Sequence, residues 1–118
     1  MSSIAVRRVG SQRFTCDGHT LLRHVEPEHG TPYIHACSRE TFEAVAHAIQ
    51  ESGDRGTVVA AVAAHEQLPF TQVNVAFAFL LERGCALKVR ARRVRAASAS
   101  IHLDGMTELH ALHEVPQP

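Results

Sequence analysis

Between Ser38 and Gly84 apolar residues return three times at helical spacing, and each return is closed by a residue that ends helices, so this chain must fold around packed helices. In the first run Phe42, Val45, Ala46 and Ile49 fall at i, i+3, i+4 and i+7, one buried stripe. The Ser38 hydroxyl is placed to cap a helix from Arg39 to about Ser52, where Gly53 can terminate it. After the polar break Gly53-Asp54-Arg55-Gly56, Thr57 is set to cap a second helix from Val58 to about Gln67, with Val59, Val62 and Ala63 inward. Leu68-Pro69-Phe70 interrupts the pattern. Thr71 then caps a third helix running to Arg83, whose core face is Val73, Ala76, Phe77, Leu80 and Leu81.

The flanks read as strands and one more helix. Arg13–Cys16 and His19–Val25 can extend on either side of Asp17-Gly18, a dipeptide that favours a two-residue hairpin turn. Pro27, Gly30 and Pro32 break the chain before a short third strand, Tyr33–Ala36. Past Gly84, Lys88–Ala97 is rich in Val and Arg and reads as a strand. Asp104 can cap a last helix from Gly105 to Glu114, with Met106, Leu109 and Leu112 as its apolar side, though the alternation there also suits a strand. Pro116 stops that segment, and Pro116-Gln117-Pro118 should fray. The expectation is an α+β domain, a hairpin extension over 1–37 joined to a helical unit over 38–118. At 118 residues with 45% hydrophobic content, one shared core is what the chain can build.

Composition narrows the functional classes. Lys and Arg total 12 against 12 for Asp and Glu, so attraction to an anionic partner must come from local clustering. Met1–Phe14 has no apolar run of signal-peptide length and nothing later approaches a membrane span, which predicts a cytoplasmic protein without a membrane partner. Cys16, Cys37 and Cys85 are odd in number with no Cys-x-x-Cys, and read as reduced thiols. Among nine histidines, Cys16-x-x-His19 and His35-x-Cys37 supply the ligand types of structural zinc sites. The paired-cysteine spacing is missing, however, and alternation alone places His35 and Cys37 on one strand face, so no metal or cofactor is assigned. His110 and His113 share a face only if their segment is helical, and read as surface residues. His65-Glu66-Gln67-Leu68-Pro69 begins like a zinc-protease motif but has Pro69 where the second histidine must stand. With no nucleophile elbow and no glycine-rich phosphate loop, no enzymatic activity is expected. Aromatic content of 5% and no Trp leave few stacking surfaces for single-stranded nucleic acid.

Helix, break, short helix, tight turn, longer helix, Gly, basic strand: in this order the chain resembles the winged helix-turn-helix family of prokaryotic transcription regulators. The residues that carry the resemblance are Gly56-Thr57-Val58-Val59-Ala60-Ala61-Val62-Ala63, the turn Gln67-Leu68-Pro69-Phe70-Thr71-Gln72, and Val73 through Leu80-Leu81-Glu82-Arg83-Gly84-Cys85. It covers roughly Ser38–Ala97. It implies a three-helix core with short strands and a dimer on double-stranded DNA, with the helix from Thr71 in the major groove. Thr71, Gln72 and Asn74 would meet bases, and Lys88, Arg90, Arg92, Arg93 and Arg95 would form a wing on phosphates. With Arg83, those five are half of the chain's basic residues. The chain departs from the pattern further along that helix, where Val75, Ala78, Phe79 and Glu82 stand on the outward side. Apolar Val75 and Phe79 there call for cover by protein, the chain's own hairpin first and a partner or second subunit next. The partner case defines a second class, a winged-helix interaction or assembly module that docks through Val75 and Phe79 and leaves its arginines solvated.

Overall fold

The computed structural model describes residues 10–114, the last two as backbone only. Residues 1–9 and the Pro116-Gln117-Pro118 tail expected to fray lie outside the described residues. Three strands come first, β1 (Ser11–Asp17), β2 (Thr20–Glu26) and β3 (Tyr33–Ser38). Then follow α1 (Arg39–Glu51), α2 (Val59–Glu66), α3 (Phe70–Glu82), β4 (Ala86–Arg90), β5 (Arg93–Ala96) and α4 (Ile101–Glu114). Among the described residues this is an α+β fold of four helices, a three-stranded antiparallel sheet in the order β1-β2-β3, and a two-stranded hairpin. No helix among them is long and apolar enough to cross a membrane.

α1 forms where its stripe predicts. The Ser38 Oγ accepts the Thr41 N–H at 3.1 Å, and Phe42, Val45, Ala46 and Ile49 are wholly buried. It is the hub of the fold, with α3 and α4 packed along it and β5 against it.

The other helix starts differ from expectation by one to a few residues, each for an identifiable reason. Thr57 does not cap α2, because its backbone is committed elsewhere: its N–H and carbonyl exchange two 2.8 Å hydrogen bonds with Val94 of β5. α2 therefore starts at Val59. Thr71 lies inside α3 rather than ahead of it. Pro69, at φ −62°, serves as the entry, so α3 begins at Phe70. α4 is a helix, not the alternative strand, and starts at Ile101, before Asp104; the Asp104 N–H already bonds back to the Ser100 carbonyl at 2.8 Å. The segment expected as one strand over Lys88–Ala97 folds back on itself at Ala91-Arg92, giving β4 and β5 with a register shift between Lys88 and Arg90.

At the amino terminus the hairpin turn is Gly18-His19, one residue later than expected, since Asp17 pairs with Thr20. Cross-strand partners share a face, so Phe14, Cys16, Leu21, Val25 and Cys37 line one side of the sheet. That side is pressed onto α3, while β1 also meets α4. Phe14, Leu21 and Cys37 thus belong to the same buried cluster as the helical core, which runs through Phe42, Val73, Phe79, Ile101 and Leu109. The hairpin extension and the helical unit share one interior.

Candidate functional site

α3 is apolar nearly all round, and the fold divides its surface three ways. Val73, Ala76, Phe77 and Leu80 face the helical core. Gln72, Val75, Phe79 and Glu82, spaced by three and four residues, form a second stripe that meets the sheet. The Gln72 Oε1 accepts the Ser38 N–H at 2.9 Å, the Phe79 ring stands edge-on to Phe14 with centroids 5.1 Å apart, and Glu82 accepts from the Gln12 side chain at 3.1 Å. Phe79 also packs against Phe42 and lies under the Arg83 guanidinium, whose other end reaches Glu108 of α4 at 3.3 Å.

Val75 and Phe79 are therefore not the partner surface named for them. Both are 0% exposed, covered by this chain's own sheet. A third stripe opens at the start of α3 with Phe70, 58% exposed, and Thr71, and continues through Asn74, Ala78 and Leu81, which are half-buried.

Of the residues expected to touch bases, Thr71 is exposed and Asn74 half-buried at the same end of α3, whereas the Gln72 carbonyl oxygen is spent on the sheet. The five expected wing residues lie together on the β4–β5 hairpin, but not equivalently. Lys88, Arg90 and Arg92 are exposed. Arg93 is turned to structural use, its Nε and Nη2 donating to the Arg55 and Gly56 carbonyls at 3.1 and 2.8 Å, and Arg95 donates to the Ala96 carbonyl at 3.1 Å. No acidic residue occurs between Arg83 and Asp104, and among the described residues none of the five pairs with a carboxylate. The hairpin is thus a concentrated, uncompensated positive charge on a protein with no net charge.

Arg92, in the hairpin turn, and Asn74 line one groove of about 470 Å³ together with Val58, Val59, Ala60 and Phe70. Sequence reasoning missed Phe70, assigning it to the break before α3. The signal available was its position beside Pro69, at the start of the helix.

The cysteine and histidine candidates do not assemble. Cys37 is fully buried and its thiol is pushed up to about 12 by that burial, while burial also raises Cys16 and Cys85 above their ordinary range, so none is activated as a nucleophile or ligand. The Cys16 thiol donates to the Gly18 carbonyl, and the His35 ring lies against Tyr33. Among the described residues no group of three or more His, Cys, Asp or Glu could hold a metal ion.

One polar joint does link α1 to α4. His102 donates to Glu43 at 3.3 Å, Arg39 donates to the other carboxylate oxygen at 3.0 Å, and the His102 ring stacks on His47. Hydrogen bonds from His102 first, and Arg39 next, hold the Glu43 carboxyl below its ordinary 4.5. A depressed carboxyl contributes stability that is complete above its unfolded value and is lost as pH falls through the lower folded one. Glu43→Gln should accordingly melt below wild type at neutral pH, with the two melting curves converging in acid. A constant gap across that titration would remove Glu43 from the joint.

Compared with known proteins, the chain matches no family model, no curated protein and no solved structure.

Proposed function

We propose that the chain is a winged-helix domain that binds double-stranded DNA, with Lys88, Arg90 and Arg92 on phosphates and Thr71 and Asn74 toward the bases. The observation that carries this reading is the β4–β5 hairpin. Among the described residues its cations have no carboxylate partner, and its turn shares a groove with the start of α3. A segment that folds back as a hairpin beside α3 also suits a wing better than a single basic strand would. Arg93 and Arg95 act in this reading mainly as struts, since their donors serve backbone carbonyls. The other class, an interaction module docking through Val75 and Phe79, loses its docking residues to the core.

Phosphate binding releases condensed counterions, so affinity must fall steeply as salt rises. In anisotropy titrations over a salt series, the doubly substituted Arg90→Gln/Arg92→Gln protein should bind every duplex more weakly. The slope of log affinity against log salt should flatten by about one unit per lost contact. Both side chains are exposed, so thermal stability should be unchanged. Wild-type affinity in this variant would take the hairpin out of the interface.

A further inference from the structure

Four of the five phenylalanines, Phe14, Phe42, Phe77 and Phe79, are between 0 and 6% exposed. Phe70 is 58% exposed. It stands in the first turn of α3, one turn before Asn74, and shares the groove with Val58, Val59 and Ala60 from the start of α2 and with Arg92 from the hairpin turn. The groove therefore has an apolar wall, a side-chain amide and a cation, and no carboxylate lines it.

An A·T pair seen from the major groove offers the complement of each: the thymine methyl, the adenine N6 donor beside its N7 acceptor, and the flanking phosphate. A G·C pair has no methyl group there, and its guanine edge presents two acceptors, which an amide cannot match with a donor–acceptor pair. We infer that this groove selects A·T pairs, with Phe70 against a thymine methyl group, Asn74 on adenine and Arg92 on the adjoining phosphate. The inference rests on the DNA reading above and adds to it a sequence preference and a residue that carries it.

The decisive experiment changes the DNA first and the protein second. An A·T-rich duplex and the same duplex with every thymine replaced by uracil differ only in the methyl group. Wild-type protein should bind the uracil duplex about threefold to fivefold more weakly, the value of one buried methyl-sized group. Phe70→Ala, at a position outside the core, should bind both duplexes equally, at about the wild-type affinity for the uracil form. Equal wild-type affinity for the two duplexes overturns the thymine inference while leaving DNA binding intact. Failure to bind either duplex at low salt overturns the DNA reading and the inference with it. A methyl preference that survives in Phe70→Ala assigns the contact to another residue and overturns the role given to Phe70.

Discussion

Phe79→Ala should lower the free energy of unfolding by about 3 to 5 kcal/mol, the range for a fully buried phenylalanine whose cavity cannot collapse. Collapse is prevented from three sides. The ring is wedged edge-on between Phe14 of the sheet and Phe42 of α1, at centroid distances of 5.1 and 5.8 Å, and is capped by the Arg83 guanidinium. Each aromatic contact has its own geometric preference beyond the area it buries, and truncation loses all of them together. Urea unfolding of the wild type and the variant measures the loss. A change below about 1 kcal/mol would mean that the sheet does not hold α3 as described. Sedimentation should show no change in association, because the cover over Phe79 is intramolecular.

Gly56→Ala should cost about 1 to 3 kcal/mol from backbone strain alone. Gly56 sits at φ +77° and ψ −179°, a region that is essentially closed to residues with a side chain. An added Cβ would also lie 2.7 Å from the Val94 carbonyl oxygen, which is rigid backbone and cannot swing aside. That carbonyl is the acceptor for Thr57, so relief of the clash must loosen the bridge that ties the entry of α2 to β5. Hydrogen exchange gives a local readout beside the global one: the Thr57 and Val94 amides should lose protection before those of α1. Unchanged protection at both would show that the bridge tolerates the side chain.

Much of the helical core was legible because its signals are local. The stripe Phe42, Val45, Ala46, Ile49 and the Ser38 cap sit within one stretch of chain and report on the same helix. Where expectation and structure part, the deciding contact lies far away in sequence. Thr57 has the chemistry of a cap, yet its backbone pairs with Val94, which no pattern around residue 57 reveals. Val75 and Phe79 were placed on an outward side because periodicity assigns one buried face to a helix, whereas α3 has two. Their own apolar character was the available clue, since a helix that is hydrophobic nearly all round is a buried helix. The basic cluster was readable as a cluster, but not its internal division. Only the carbonyls of Arg55 and Gly56 explain why Arg93 faces inward while Arg90 and Arg92 do not.

The extent of the groove along α3 sets how much text this helix can read there. α3 has 13 residues, but the part of it that lines the groove with Arg92 runs only from Phe70 to Asn74, about 6 Å at 1.5 Å per residue. With base pairs stacked at about 3.4 Å, that window admits roughly two of them. So short a word recurs throughout any genome, where a binding protein competes against a vast excess of chance sites. On the DNA reading, one chain alone would therefore be a coater of A·T-rich stretches rather than a finder of addresses. Selectivity would have to be composed from several copies set at fixed spacing along the duplex, each contributing its two letters.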